Sequence, residues 1–201
     1  MSNISISCVV EGHGESIAVP LLVRRITLEI DSSVVLNIPR PIRIGRDRLL
    51  KIGELERAVD LAARRVDRPG GVLIVIDADD DCPATQAPDL VGRASRSRSD
   101  IPIGVVLANR EFEAWFLAGA ESLRGHRGLP SSLEPPRDPE QVRGAKEWLR
   151  SRMGPVRTYS PTVDQPALTQ ALDLHLTRKA SRSFDKCWRE IARLVDPQAR
   201  S

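Results

Sequence analysis

The sequence predicts an α/β domain with a mostly parallel sheet flanked by helices, followed by a smaller helical extension. Short apolar runs typical of buried strands recur at residues 4–10, 72–77 and 101–108. Segments whose apolar side chains recur at helical spacing lie between and after these runs. Strands that alternate with helices are typical of a parallel sheet. We therefore place an α/β core at residues 1–123 and a loop with a helical extension, packed on that core, at residues 124–201.

The elements of the core follow in order along the chain. Each begins or ends at a Gly, Pro or acidic cluster that interrupts the preceding pattern. The predicted strands are Ile4–Val10, a short one before Pro39, Val72–Asp77 and residues 101–108. The predicted helices are Glu15–Ile30 (with Ile17, Leu21, Leu22, Ile26 and Ile30 at helical spacing), one amphipathic helix over residues 47–65, Pro88–Ala94, and residues 110–123, the last burying Phe112, Trp115, Phe116 and Leu117.

The chain changes in character after Leu123. A stretch rich in Gly, Pro and Ser predicts an exposed loop. Short helices are expected at residues 139–152, 166–176 and 184–194.

Composition bounds the class of protein. A chain of 201 residues, 41% hydrophobic and 28% charged, is ordinary for a globular domain. The net charge of +3 permits contact with nucleic acid without demanding it. Cys8, Cys82 and Cys187 are too widely separated to suggest a disulfide framework or a structural zinc site. Neither a signal sequence nor an apolar run of about 20 residues is apparent, so we expect a cytoplasmic protein without a membrane partner.

Carboxylates follow two of the predicted strands. "SCVVEGHGES" places Glu11 directly after the first strand and Glu15 four residues later, and "VLIVIDADDD" ends a strand on Asp77 with Asp79 in the following loop. If the strands are neighbours, these side chains converge where parallel sheets bind ligands. A cation would then have to neutralise them, and oxygen ligands favour Mg²⁺ or Mn²⁺. Such metals commonly serve phosphoryl chemistry.

Each motif taken alone has a simpler interpretation. The glycines of "EGHGE" make a tight turn and Glu15 suits a helix N-terminus, whereas "DADDD" suits a solvated turn. His13, between two glycines, is either a phosphate contact or an exposed turn residue. The two motifs in chain order, each after a buried strand, favour the metal site.

The pattern of a strand ending in Glu and a later strand ending in Asp-x-Asp resembles the Toprim fold of topoisomerases, primases and overcoming-lysogenization-defect nucleases. More specifically, the chain is similar to the Toprim-like DUF4276 family of bacterial proteins. The stretches that carry the resemblance are "VVEGHGE" (9–15), "VLIVIDADDD" (72–81), "NREFEAWFLA" (109–118), "YSPTVDQPALTQALDL" (159–174) and "SRSFDKCWREI" (181–191).

The resemblance implies roles for individual residues. Glu11 matches the Toprim glutamate, a general acid or base or a metal ligand, and Asp77 and Asp79 match the pair that binds Mg²⁺. Glu15 matches a second metal-binding acid of the nuclease variant. Glu111 and Glu113 lie in a segment that the family shares, and residues two apart on a helix point away from each other, so only one is expected to face the metal. We favour Glu111 as a further ligand because it is nearer the strand end.

A basic residue completes the site in the related nucleases. Lys179 and Lys186 are the catalytic candidates in the C-terminal family segment, Lys146 is a further one, and Arg182 joins His13 as a candidate for binding substrate. The sequence does not choose among them.

Three hypotheses for function follow. The first is a metal-dependent phosphodiester hydrolase that cuts DNA or RNA, with an ATPase partner of the ABC or structural-maintenance type in anti-phage defence, as the family resemblance implies. The second is phosphoryl or nucleotidyl transfer on a small nucleotide, with the same carboxylates. The third is a non-catalytic adaptor or regulator of the ATPase.

Overall fold

A parallel sheet forms the centre of the molecule in this computed structural model, which describes residues 2–155 and 157–196. Its strands within those ranges are β1 (Ser2–Val10), β2 (Val34–Asn37), β3 (Ile42–Arg43), β4 (Gly70–Asp77) and β5 (Ile103–Ala108). The order across the sheet is β2-β1-β4-β5, and β3 pairs with β1 beyond the end of β2. Every pairing is parallel, which confirms the predicted fold class.

Helices cover both faces of the sheet. Their bounds are α1 (Glu15–Ile30), α2 (Arg46–Leu49), α3 (Glu54–Ala63), α4 (Pro83–Ser97), α5 (Ala114–Ala118), α6 (Ala145–Arg152), α7 (Pro161–Ala171), α8 (Leu174–Ala180) and α9 (Arg182–Val195). The helices α1 and α9 pack on one face, and α3 and α4 on the other. Among the described residues, no helix has both the length and the apolar character needed to cross a membrane.

The central strands are apolar on both faces because both faces are covered. In β4, Leu73 and Val75 point to the α1 and α9 side, whereas Ile74 and Ile76 point to the α3 and α4 side. All four side chains are almost completely buried. The clearest strand of the sequence is therefore an interior strand.

Residues 47–65 do not form the single helix that the sequence predicted. The chain turns at Gly53, whose φ of 86° is left-handed, and this residue separates α2 from α3. A side chain other than glycine adopts such a φ only with strain, so the break is encoded at that position. The two-residue strand β3, beyond the prolines, was also missed.

The first helix has the predicted bounds, and Leu22 and Ile26 of its apolar pattern are buried as expected. The ends of the pattern are wrong, because Ile17 and Ile30 are exposed to 56% and 37%. Ala18 is buried near the start of the helix, where Ile17 is not.

Three predicted helices in the second half of the chain are also divided. The helix expected at 139–152 consists of a 3₁₀ helix at Pro139–Gln141 and of α6, which begins at Ala145. Residues 166–176 belong to α7 and α8, which are separated at Leu172. The helix expected at 110–123 begins only at Ala114, although Phe112, Trp115, Phe116 and Leu117 are buried as predicted.

The N-terminal end of α7 contacts the start of α1. A Cβ on Gly14 would lie 2.1 Å from Oε1 of Gln165 and 2.3 Å from the carbonyl oxygen of Pro161. Only glycine permits this approach, so a position near the start of the chain is fitted to a helix near its end.

Candidate functional site

The carboxyl ends of three neighbouring strands bring four acidic residues to one edge of the sheet. Glu11 follows β1, Asp77 ends β4, and Glu111 and Glu113 lie between β5 and α5. The register places Val10 beside Val75 and Asp77 beside Ala108, so the strands end at nearly the same level. We call Glu11, Asp77, Glu111 and Glu113 the carboxylate cluster.

Lys146, near the start of α6, inserts its ammonium into this cluster. Its Nζ lies 3.8 Å from Oδ2 of Asp77, 3.6 Å from Oε2 of Glu111 and 3.7 Å from Oε2 of Glu113. The surrounding carboxylates raise the pKa of Lys146, although burial opposes the rise. The ammonium therefore stays charged and compensates several carboxylates at once.

Glu113 is completely buried, and only one of its two carboxylate oxygens has hydrogen-bond partners. Its Oε1 accepts hydrogen bonds from the hydroxyl of Tyr159 and from Nε2 of Gln165, both at 2.9 Å. Its Oε2 has no hydrogen-bond partner and faces Lys146. Burial raises the pKa of Glu113, and the ammonium of Lys146 counteracts the rise.

Glu111 joins Glu113 in the cluster, contrary to the expectation that only one would face it. The prediction assumed a helix, but residues 109–113 precede α5, and Arg110 has a left-handed φ of 62°. Oε1 of Glu111 accepts the backbone N–H of Ala145 at 3.2 Å, and its Oε2 has no hydrogen-bond partner.

Asp77 is nearly buried at the centre of the cluster. Its Oδ1 accepts the backbone N–H of Phe112 at 2.7 Å. Burial raises the pKa of Asp77 well above its ordinary value, and the nearby charges of Glu15 and Glu113 add to the rise. The carboxyl group is thus costly to ionise unless a cation compensates it.

Glu11 lies beside Asp77, and Glu15 holds the turn that carries it. Oε2 of Glu11 is 3.4 Å from the backbone N of Asp77, which donates to it, and burial raises the pKa of Glu11. Oε2 of Glu15 accepts the backbone N–H groups of Glu11 and Gly12, at 3.0 and 2.9 Å. Burial raises the pKa of Glu15 as well. Glu15 therefore positions Glu11 through the backbone.

Asp79 is more peripheral than the resemblance implied. Its side chain is 57% exposed, and its Oδ2 lies 3.4 Å from Nε of Arg46. Its φ of 51° is left-handed, and its N–H donates to the carbonyl of Arg110 at 2.9 Å. Arg46 also donates to the carbonyl of Asp77 and pairs with Asp81, so it fixes the loop that follows β4.

The remaining candidates lie apart from the carboxylate cluster. Lys186 pairs with Glu190, and with Arg182 it lines a groove of about 600 Å³ between α4 and α9. Lys179 is exposed near the end of α8. His13 is exposed and lines a different cavity. Of the basic candidates named from the sequence, the contacts in the described ranges bring only Lys146 to the cluster.

The sequence did not single out three residues that support the site. Tyr159 and Gln165 fall in one of the stretches similar to the family, but nothing local marks them as partners of Glu113. Arg46 follows a glycine in a basic segment and carries no motif of its own.

The cluster has the chemistry of a site for a hard cation. It offers oxygen donors only, and Oε2 of both Glu111 and Glu113 is buried without a hydrogen-bond partner. These donors suit Mg²⁺ or Mn²⁺. In this structure Lys146 supplies the positive charge that compensates these carboxylates. Within residues 2–155 and 157–196, no three His, Cys, Asp or Glu side chains are arranged to hold a metal as they stand.

Comparison with known proteins gives one match. The model of a family described as a domain of unknown function, DUF4276, matches residues 10–192. No curated protein and no solved structure matches the chain.

Proposed function

We propose that this chain, which belongs to the DUF4276 family, is a metal-dependent phosphodiester hydrolase that acts on nucleic acid. One observation carries the proposal. Carboxylates that follow the neighbouring strands β4 and β5 converge on the ammonium of Lys146, and two of their buried oxygens lack hydrogen-bond partners. Glu11, which follows β1, lies beside Asp77. Burying carboxylates lowers the stability of a folded protein. We therefore infer that these carboxylates serve to bind a cation.

Asp77, Glu111 and Glu113 are the residues that would hold Mg²⁺ or Mn²⁺. The bound ion would polarise a phosphate oxygen and lower the pKa of a water molecule. These three carboxylates already surround one positive charge. They are not arranged to hold a metal as they stand, so their oxygens would have to draw closer together on binding one.

Glu11 would exchange a proton with the attacking water or the leaving oxygen. Burial raises the pKa of Glu11 above its ordinary value, and a carboxyl group with a raised pKa is the more effective general acid or base. Glu15 would keep Glu11 in place through the two amides that it accepts.

Lys146 would stabilise negative charge on the phosphate. Its side chain is 35% exposed, so the ammonium can turn from the carboxylates towards a bound substrate. An open cavity of about 180 Å³, lined by Asp79, Arg110, Glu111 and Arg143 among others, gives solvent access beside Glu111.

The experiment is a cleavage assay paired with Mn²⁺ titration calorimetry. Wild type, Asp77→Asn and Glu113→Gln would be compared with Asp89→Asn, which removes an acid that is 67% exposed on α4. We expect the first two substitutions to abolish metal binding and cleavage, and Asp89→Asn to leave both intact. Folded wild type that neither binds Mn²⁺ nor cleaves DNA, RNA or a small nucleotide would refute the enzyme and favour an adaptor.

The assay would be repeated with an ATPase of the ABC or structural-maintenance type, since we propose such a partner from the family resemblance. Cleavage of nucleic acid is the result that supports the hydrolase. Conversion of a small nucleotide alone would instead favour the transfer enzyme.

A further inference from the structure

We propose a second binding site, for a phosphate and its nucleoside in a single nucleic-acid strand, beside the turn that carries Glu11. The site is a cavity of about 500 Å³ lined by His13, Ser16, Ile17, Arg40, Pro41 and Arg43. The class of ligand rests on the proposed function. The cavity would hold the strand while a neighbouring phosphodiester lies at the carboxylate cluster.

The strand β3 fixes the cavity next to Glu11. Arg43 pairs in register with Val10, the residue before Glu11, and the N–H of Ile44 donates to the carbonyl of Val10 at 3.0 Å. Neighbouring strands lie about 4.8 Å apart. A substrate held by Arg43 is therefore one strand away from the backbone of Glu11.

The side-chain directions agree with this placement. Residues paired in register point to the same face of a sheet. Val10 faces the side covered by α1, and Ile42, like its partner Val9, packs on the opposite side. Arg43 therefore points towards the start of α1, where His13 and Ser16 complete the cavity.

The cavity carries positive charge that the fold does not compensate. Arg40 and Arg43 are exposed, and no carboxylate among the described residues forms an ion pair with either. By contrast, Arg48 and Arg57 pair with Glu54, and Arg64 pairs with Asp60. Two unpaired guanidinium groups on one cavity match the charge and the bidentate geometry of phosphate.

The negative charge of Glu15, at the start of α1, is already partly compensated by hydrogen bonds. The carboxylate of Glu15 is engaged with the amides of Glu11 and Gly12. The positive end of the 16-residue helix α1 also lies at this cavity, which favours a negative ligand.

The apolar part of the wall distinguishes a nucleotide from an inorganic ion. Ile17 is 56% exposed beside Pro41 in the cavity. An apolar surface next to cations suits a sugar and base attached to a phosphate. Unpaired bases that can reach such a surface occur in single strands rather than in a duplex.

The test measures binding without cleavage. Fluorescein-labelled single-stranded DNA and RNA would be titrated by anisotropy in EDTA at several salt concentrations. The protein would be wild type, Arg40→Ala/Arg43→Ala, and the control Arg57→Ala/Arg64→Ala, which removes the same charge from α3 and the residue that follows it. A charge-conserving Arg40→Lys/Arg43→Lys variant would separate loss of charge from loss of shape, and circular dichroism would check folding.

We expect the Arg40/Arg43 alanine variant to bind about tenfold more weakly, and the control to bind like wild type. The slope of log K against log salt should become shallower by about 1.4, because each phosphate contact to a single strand contributes about 0.7. The lysine variant should recover most of the slope. Equal binding by the alanine variant and the control, or no binding by wild type, would overturn the site. Because EDTA removes the metal, failure of the proposed hydrolysis would leave these results unaffected.

Discussion

The ammonium of Lys146 lies 3.7 Å from Oε2 of Glu113, a carboxylate that no solvent reaches. Burial raises the pKa of Glu113, and Lys146, which comes from a helix 33 residues later in the chain, counteracts the rise. The same ammonium compensates Asp77 and Glu111. One ammonium therefore lies within ion-pair distance of three of the four members of the carboxylate cluster.

The first prediction is that Lys146 and a metal ion compete. We expect Lys146→Met to bind Mn²⁺ about tenfold more tightly than wild type, because the substitution removes a positive charge from the cluster. The metal-free variant should unfold at a lower temperature, because its carboxylates are uncompensated. Titration calorimetry and thermal unfolding would measure the two effects. Lys51→Met, at an exposed lysine, is the control, and weaker Mn²⁺ binding by Lys146→Met would contradict the prediction.

The second prediction concerns the pH dependence of stability. Because the pKa of Asp77 is raised above 3.8 in the folded protein, the folded state binds the proton more tightly than the unfolded state. The free energy of unfolding therefore falls as pH rises from about 4 through the raised pKa. Asp77→Asn removes this loss, and we expect it to gain about 1 kcal/mol or more relative to wild type between pH 4 and pH 7.

Urea unfolding at several pH values would measure the gain of Asp77→Asn. Glu56→Gln is a control of opposite sign, because the Arg93 side chain lowers the pKa of Glu56 to about 2. Glu56→Gln should lower the free energy of unfolding at neutral pH, and this loss should disappear as pH falls from 4.5 towards 2. A stability difference for Asp77→Asn that does not change with pH would be the contrary result.

The third prediction concerns the hydrogen bond from Tyr159 to Glu113. We expect Tyr159→Phe to destabilise the protein by about 1–3 kcal/mol, because a buried charged acceptor loses one of its two donors. In a Glu113→Gln background the same change should cost clearly less. A double-mutant cycle in urea would measure the coupling. Equal costs in both backgrounds would show that Tyr159 acts through packing alone.

The location of the site was predictable from the sequence, because it depends on where strands end. Apolar runs of β-branched residues located β1, β4 and β5, and parallel pairing brings their carboxyl ends together. Glu11 and Asp77 follow from that rule alone. The single parallel sheet also follows from the alternation of strands and helices.

The residues that join Glu11 and Asp77 at the candidate site were not predictable from local patterns. Glu113 faces inward because residues 109–113 are not helical, and Lys146 reaches the cluster from a helix that no rule of spacing connects to β4. The left-handed φ of Arg110 depends on tertiary contacts, including its carbonyl's hydrogen bond with the N–H of Asp79. Such long-range contacts leave no periodic trace in a single sequence.

The fourth prediction concerns the contact between α1 and α7. We expect Gly14→Ala to destabilise the protein by about 1–3 kcal/mol or more, because the methyl group would overlap the carbonyl of Pro161, which is backbone and cannot rotate away. Gly45→Ala is a matched control, since its Cβ would meet nothing within 4 Å. Thermal unfolding would compare the two variants. Wild-type stability in Gly14→Ala would mean that α7 can shift freely against α1.

The chain order of the cluster has a consequence for synthesis on the ribosome. Domains generally fold from the N-terminus as the chain emerges. Glu11, Asp77, Glu111 and Glu113 are all made before Lys146, and Tyr159 and Gln165 follow later still. A nascent chain that has reached the start of α5 therefore carries all four acidic residues without Lys146. The contacts of the carboxylate cluster can therefore be completed only after Lys146, Tyr159 and Gln165 have been added to the chain.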